Sequence, residues 1–416
     1  MVRMPVRKLT EIDSNLPLDY MEYLKLRMEF LLQRFHKYPF FPGVQTGYDS
    51  ITGEEFPPEE LLSYAWINGR GACVLARFAD YFPAYHDQLK AFALHAIVSL
   101  EKQWELNNHH FPFTADLNGR EKNAGCPCPV GYKSYGDLHS CLGFLEYGTR
   151  NGDEKRIQTA QAIFAETMKA LNNGHFITEP DPTPADRILE NPWSVALDLA
   201  NEFVKQLQDP AYLNWGAQIV TYLLDRYYIE EIGAYVEYVT PEGKPYIDGQ
   251  GRMIVDPGHA IEFCSFALEF ARLAKEQKEF PEICARIDKT APELILWNIS
   301  KGWNELYPGI YKTIDAKTGH PIDETMPWWI LPETMLALIL AYESSGDKVF
   351  LPRFIEAHNT YFGTYMNEKT NYGPFQNISG KNGKPVDIVP ACKFQDPEFH
   401  SGKNILTVVE VLKRLQ

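Results

Sequence analysis

The sequence predicts an all-α fold, an (α/α)6 barrel of six helical hairpins that forms a single domain over residues 1–416. Helical periodicity runs through nearly every long segment, and Gly, Asp and Pro punctuate it at regular intervals. A unit of two helices and a long loop recurs about every 67 residues. Six such units account for a length that exceeds one ordinary domain of about 100–200 residues. An α-solenoid is the structural alternative, but its repeats usually run about 33–47 residues.

Each repeat pairs an amphipathic helix with a more apolar one. Apolar residues at steps of three and four define one face of the amphipathic helices, which we expect on the outside. Those helices are expected around 18–36, 84–105, 154–172, 210–229, 281–299 and 349–366. The apolar set carries isolated charged or polar residues and is expected to form the inner ring. Its members are expected around 60–80, 134–149, 192–207, 259–276, 328–345 and 400–415.

Short junctions join the two helices of a pair. Asp153 and Asp347 each follow a glycine, which is typical of a helix end and a new N-cap. Pro83, Pro210 and Pro281 stand where a first helical turn accepts proline. These junctions predict tight helix-to-helix turns.

The longer loops carry a second recurring pattern, a short alternating strand, a Gly-containing turn and a Pro exit. This pattern predicts β-hairpins. Three copies are clear and two are weaker: 233–245, 309–321 and 372–385, then 40–53 and 111–119. We expect these loops on one face of the barrel, over the ends of the inner helices, where functional groups collect.

Net charge, apolar stretches and cysteine content indicate which classes of protein are not expected. Lys and Arg number 40 against 55 Asp and Glu, a net charge of −15, and no run of like charge reaches five residues, so a nucleic-acid surface is not indicated. The start lacks an apolar signal segment, and the most apolar stretch, 328–342, is too short to span a membrane. Seven scattered cysteines favour reduced thiols in a cytoplasmic enzyme, with Cys126 and Cys128 interpreted as loop residues rather than metal ligands.

Two histidines open inner helices at corresponding places in their repeats. His259 and Glu262 are three residues apart and so share a helical face, while His400 opens the sixth inner helix. A histidine there suits proton abstraction near neutral pH, and Gly258 is the expected entry residue of its helix. Two imidazoles on opposite sides of one carbon would serve a two-base inversion. No metal-ligand spacing accompanies either histidine, so no metal is expected.

Other candidates lie on the first and fifth inner helices. Trp328, Trp329 and Glu333 would give an aromatic wall and a hydrogen-bonding carboxylate. Arg70, in an otherwise apolar helix, needs an anionic partner, for which we considered Glu262, Glu333 or an oxyanion of the substrate.

These residues resemble the N-acylglucosamine 2-epimerase superfamily, which includes cellobiose 2-epimerases and aldose–ketose isomerases. The resemblance covers residues 60–405, in four motifs: W-x-x-G-R from Trp66 to Arg70, P-G-H-x-x-E from Pro257 to Glu262, W-W-x-x-x-E from Trp328 to Glu333, and the late pair Phe399 and His400. It implies an (α/α)6 barrel and a sugar substrate, without a cofactor. Homodimers occur among such relatives.

The resemblance also implies roles. His259 and His400 would be the general acid and base at C2 of the open-chain sugar, with Arg70 and Glu262 contacting substrate or intermediate. The remaining substrate contacts predicted are Trp66, Asp137, Asn191, Trp328, Trp329 and Glu333. Two departures stand out. Val195 replaces a histidine that cellobiose epimerases and the isomerases carry four residues after Asn191. In the last motif, Lys393 lies seven residues before His400, and Lys403 replaces an arginine.

Three alternatives remain open at this level. An aldose–ketose isomerase would use the same enediol and differ only in where the proton returns. A glycoside hydrolase of the same barrel class would use Asp137 and Asp198 as acid and base. A sugar-binding protein without catalysis is the third. The favoured hypothesis is 2-epimerisation of an N-acylhexosamine or related aldose.

Overall fold

A computed structural model describes residues 4–122, 128–388 and 392–415. Within these ranges the chain forms twelve α-helices, at the positions that the repeat analysis predicts to within a few residues. Their bounds are α1 Leu16–Lys37, α2 Ala65–Tyr81, α3 His86–Leu106, α4 Tyr135–Asn151, α5 Glu154–Asn172, α6 Asn191–Leu207, α7 Ala211–Tyr227, α8 Pro257–Gln277, α9 Pro281–Gly302, α10 Ile330–Ser345, α11 Phe350–Thr360 and α12 Asn404–Arg414. None of these helices is both long and apolar enough to cross a membrane.

Residue contacts divide the chain into two compact units. The first unit holds the described residues of 1–24, 184–390 and 404–416, and the second unit holds those of 25–183 and 391–403. That the whole chain forms one domain stays a prediction.

Helices predicted as inner pack against one another within each unit. In the second unit α2 packs on α4, and each also packs on the amphipathic helix that follows it, α3 or α5. In the first unit the series α6, α8, α10 and α12 is in contact from one member to the next, with α7, α9 and α11 as the amphipathic partners. The apolar members are buried almost throughout, as in α10, where every residue from Ile330 to Ala341 is buried. Burial of these faces supplies the main stabilising free energy.

Two glycines let α2 and α4 approach closely. A Cβ at Gly69 would lie 2.3 Å from the backbone oxygen of His139, and one at Gly143 would lie 2.8 Å from the backbone oxygen of Gly69. Only glycine fits such a backbone-to-backbone approach. The contact sets the register that brings the next residue, Arg70, beside α4.

The strands are short and lie in the loops. Their bounds are β1 Lys133–Ser134, β2 Phe176–Ile177, β3 Ile188–Leu189, β4 Tyr228–Ile229, β5 Ala234–Tyr235, β6 Tyr238–Val239, β7 Ile254–Val255, β8 Thr313–Asp315, β9 Pro321–Asp323, β10 Thr325–Pro327, β11 Met366–Asn367, β12 Gly373–Pro374 and β13 Asn377–Ser379. Strands β1 and β2 pair in parallel, and the other pairs are antiparallel.

The predicted hairpins are confirmed. Strands β8 and β9 close one of them, and bridges from Val239 to Pro245 and from Ile378 to Pro385 close the other two clear copies. The two weaker copies also close, through bridges from Tyr48 to Glu55 and from Ala115 to Glu121.

Helix ends agree with the predicted punctuation at some positions and differ at others. Gly152 ends α4 in the left-handed conformation and Asp153 caps α5, as predicted. Asp256, rather than Gly258, caps α8, because its carboxylate accepts the backbone amides of Gly258 and His259. The last inner helix is α-helical only from Asn404, since a π-helical turn occupies Phe399–Lys403.

Candidate active site

His259 lies in the first turn of α8, where local sequence fixes its direction. Pro257 occupies the first helical position and the Asp256 carboxylate caps the turn. A Cβ at Gly258 would lie 2.6 Å from the Trp329 ring, so glycine allows the turn to pack against that tryptophan. The His259 and Trp329 ring centroids are 5.4 Å apart, with 30° between the planes. Trp329, one of the two rings of the predicted aromatic wall, therefore borders the histidine.

Carboxylates surround the Nδ1 side of His259. Nδ1 lies 2.9 Å from Glu237 Oε1 and 3.5 Å from Asp256 Oδ2. Asp256 also forms an ion pair with Lys312, whose ammonium lies 5.2 Å from the Trp329 ring centroid. Because Nδ1 donates to a carboxylate, Nε2 is the ring nitrogen left for a substrate.

The same charges decide the protonation of His259. Burial alone would lower its pKa, but the Asp256 and Glu237 carboxylates raise the pKa of His259 to about 9, with Lys312 opposing them. The imidazole is therefore protonated in most molecules at neutral pH. It can donate a proton directly, and it is a strong base once deprotonated.

Glu190 is a further carboxyl group beside this histidine, with its Oε1 3.9 Å from His259 Nδ1. It is fully buried, and its Oε2 accepts hydrogen bonds from Ser194 at 2.5 Å and Tyr235 at 3.0 Å. Burial and the neighbouring Glu237 raise its pKa well above the usual range. Donor atoms of Glu190, Glu237 and His259 lie within 4.8 Å of one another and could hold a metal ion. An ion there would have to displace the direct bond between His259 Nδ1 and Glu237.

Other predicted residues of the first unit gather on neighbouring helices. Asn191, the first residue of α6, donates from Nδ2 to Glu262 Oε2 at 3.2 Å, which joins the third and fourth inner helices. Glu262 lies one turn after His259 on α8. Trp328 and Glu333 are buried, and Trp329 is half-buried. The structure thus brings together Asn191 and Glu262, and separately His259 and Trp329.

Arg70 is the centre of the predicted residues in the second unit. Its guanidinium carbon lies 4.6 Å from the Trp66 ring centroid and 4.8 Å from that of Phe399. Nη2 lies 3.2 Å from His139 Nε2, and Nη1 lies 3.4 Å from Asp396 Oδ1. The carboxylate seen beside Arg70 is thus that of Asp396, which was not among the partners considered from the sequence.

His139 is a site residue that sequence reasoning missed. Burial above all, with the cations Arg70, His400 and Lys403, lowers its pKa well below the usual range. The neutral ring accepts from Arg70 at Nε2 and carries its proton on Nδ1, which has no hydrogen-bond partner among the described residues. A polar residue on the apolar face of α4, two positions after Asp137, was the available signal.

The remaining predicted residues are His400 and Asp137, and both are buried. His400 is 8% exposed within the π-helical turn, and the Lys403 ammonium lies 5.0 Å from the Phe399 ring centroid. Asp137 forms the capping box of α4 with Ser134 and lies 3.3 Å from the Lys133 ammonium. Burial raises the pKa of Asp137. Its predicted contact with substrate stays a prediction.

Of the two neighbouring loop cysteines, Cys126 lies outside the described residues. Cys128 is buried, and burial raises the pKa of its thiol to about 12. A thiol with that pKa is protonated at neutral pH.

The sequence is similar to proteins of known function. The family model described as N-acylglucosamine 2-epimerase (GlcNAc 2-epimerase) matches residues 198–395. The human N-acylglucosamine 2-epimerase is 27% identical over 186 residues, which is 44% of this chain and 41% of that protein. The chain therefore spans about two fifths of the length of the human enzyme that it matches. Over residues 198–395 the chain is thus similar to the N-acylglucosamine 2-epimerase family.

Solved structures of a sugar isomerase and a sugar epimerase share the fold. D-mannose isomerase aligns with a TM-score of 0.75 at 14% identity, over 96% of this chain and 99% of that one. Cellobiose 2-epimerase from Bacillus thermoamylovorans B4167 aligns with a TM-score of 0.73 at 13% identity, over 94% and 99% of the two chains. The (α/α)6 fold class predicted from the helical repeat is confirmed.

Proposed function

We propose that this protein is a sugar 2-epimerase acting on an N-acylhexosamine or a related aldose. The observation that carries the proposal is the histidine at the start of α8, held through Nδ1 by Glu237 with its Nε2 side left for a substrate. Similarity to the N-acylglucosamine 2-epimerase family supports the choice of substrate class.

The reaction needs one proton removed from C2 and one returned to the opposite face. In the open-chain sugar, the C–H bond at C2 breaks toward one histidine, and its electron pair forms an enediolate with the C1 carbonyl. The other histidine then donates a proton to C2 while the carbonyl re-forms. We propose His259 and His400 for these two steps, one in each direction of the reaction.

The negative charge on the enediolate oxygen calls for a fixed cation. We propose Arg70 for this role, because the Trp66 and Phe399 rings and the His139 ring already hold its guanidinium. A preorganised cation stabilises developing charge without the cost of reorganisation. Asn191 and Glu262 would orient sugar hydroxyls.

Alanine substitutions test the proposal. We expect H259A and H400A each to lower C2 proton exchange at least ~100-fold, the lower range for loss of a general acid or base. H320A, at an exposed histidine on a hairpin, serves as the control. Full turnover in both active-site variants would contradict the two-base mechanism, and a ketose as the only product would assign an isomerase instead.

A further inference from the structure

The segment before His400 departs from the spacing of its superfamily, and its polar side chains anchor it. Gln395 donates from Nε2 to the backbone oxygen of Tyr48 at 3.0 Å. Glu398 accepts from Arg27 at 2.9 and 2.7 Å in a fully buried ion pair. Glu398 has a φ of 64°, a conformation that side chains other than Gly and Asn rarely adopt. The surroundings therefore impose the path of this segment.

Asp396, in the same segment, uses its two carboxylate oxygens on different partners. Oδ1 lies 3.4 Å from Arg70 Nη1. Oδ2 accepts the backbone amides of Phe399 at 2.5 Å and His400 at 3.2 Å. One carboxylate thus links the guanidinium to the backbone that carries the histidine.

The link also includes one of the aromatic rings that contact the guanidinium. Phe399, whose amide Asp396 binds, is one of the two rings that enclose Arg70. The Asp396 side chain is 9% exposed. Burial raises its pKa, and the cations His400 and Arg70 oppose that rise. Lys393 is 70% exposed, whereas Asp396 and Glu398 are both buried carboxylates of this segment.

We infer that Asp396 is a positioning residue for the proposed reaction, which holds Arg70 and His400 in one fixed arrangement. The inference rests on the proposed function. In this inference, the segment before His400 aligns the Arg70 guanidinium with the His400 imidazole. The ion pair of Asp396 with Arg70 and its hydrogen bonds to the backbone amides can be separated by substitution.

Two substitutions of Asp396 distinguish its ion pair with Arg70 from its hydrogen bonds to the backbone amides of Phe399 and His400. Asn at position 396 keeps an oxygen for the amides of Phe399 and His400 but loses the charge opposite Arg70. We expect D396N to lower kcat about 10-fold with KM within about 3-fold, because Arg70 is proposed to act on the enediolate, which forms only after the substrate is bound. D396A loses both contacts, and we expect a further fall in kcat of about 10-fold or more.

Asp248 offers a matched control. Its carboxylate also accepts two backbone amides, those of Gln250 and Arg252, and pairs with the Arg252 side chain. D248N therefore removes the same kind of interaction from a loop without a proposed role. If D396A only lowers the thermal midpoint, as D248N does, and keeps kcat and KM within 2-fold of wild type, the inference is overturned.

Thermal unfolding does not depend on catalysis, so it tests the role of Asp396 independently of the proposed function. Thermal unfolding of R70Q, D396N and the double variant reports whether the two side chains are coupled. A lowering of the midpoint in the double variant that is smaller than the sum of the two single lowerings supports the link, and additive lowering overturns it. Absence of C2 exchange in the wild-type protein would count against the proposed function alone.

Discussion

His259 derives its chemical character from two carboxylates, those of Asp256, three residues before it, and Glu237, 22 residues before it. Glu237 and Asp256 stabilise the imidazolium and raise its pKa to about 9 despite burial. A histidine so placed donates a proton readily at neutral pH, and its basic form becomes abundant only in alkaline solution. The pH dependence of the reaction should report this directly.

Replacing Glu237 by Gln should shift the pH profile of kcat/KM to lower pH. Loss of the charge beside Nδ1 destabilises the imidazolium, so the pKa of His259 should fall, by about 1 unit or more. In a profile of kcat/KM against pH, we expect a limb near 9 in the wild-type protein and at lower pH in E237Q. E230Q, at a largely exposed glutamate, is the control. A limb that stays near 9 in E237Q would show that Glu237 does not set this pKa.

Candidate site residues could be predicted from the sequence where they belong to a short sequence motif. His259, Glu262 and Arg70 stand in such motifs. Glu237 and Asp396 do not, because each meets its partner only through tertiary contacts between segments 22 and 326 residues apart. Single-sequence patterns contain no signal for such pairs.

At the scale of elements, the contact between α2 and α4 depends on Gly69. We expect G69A to lower the free energy of unfolding by about 1–3 kcal/mol or more, because its Cβ would meet the backbone oxygen of His139 rather than a flexible side chain. Urea unfolding measures the loss. G363A is the control, since no atom lies within 4 Å of a Cβ there. Equal stability of both variants would show that α2 can shift without cost.

The N-terminal segment is attached to α11 through a buried histidine. His358 Nε2 donates to the backbone oxygen of Arg7 at 3.0 Å, and Nδ1 accepts from the Tyr20 hydroxyl at 2.7 Å. Asn359 adds two hydrogen bonds with the Leu9 backbone, at 2.7 and 2.9 Å. Burial lowers the pKa of His358 to about 4.

This attachment should weaken in acid. The unfolded chain binds a proton at His358 below about pH 6.5 and the folded chain only near pH 4, so this residue stabilises the fold above pH 6.5 and loses that contribution toward pH 4. We expect the loss to reach about 3 kcal/mol, since one pKa unit corresponds to about 1.4 kcal/mol. The difference in unfolding free energy between wild type and H358Q should shrink from pH 7 to pH 4.5. A constant difference would contradict this assignment.

Helix positions could be predicted because periodicity and punctuation are local signals. The ends were less predictable. The π-helical turns Tyr361–Tyr365 and Phe399–Lys403 occupy stretches that were assigned to helices from periodicity alone. At Phe399 the anchored segment before the turn, including the left-handed Glu398, sets the irregular path.

At the scale of the whole molecule, the repeat of about 67 residues identified the fold class, because each helical hairpin needs neighbours to bury its apolar face. The same repeat could not reveal the reaction. Structures with this fold include both an isomerase and an epimerase. The outcome depends on where a proton returns, and that is a property of a few side chains rather than of the architecture.

Proton exchange in D2O tests the central claim most directly. The wild-type protein would be incubated with N-acetylmannosamine, N-acetylglucosamine, mannose, glucose, fructose and cellobiose, and the products examined by NMR and mass spectrometry. We expect deuterium at C2 together with the 2-epimer of at least one aldose. A ketose without the 2-epimer, or no deuterium at C2 of any of these sugars, would contradict 2-epimerisation by this protein.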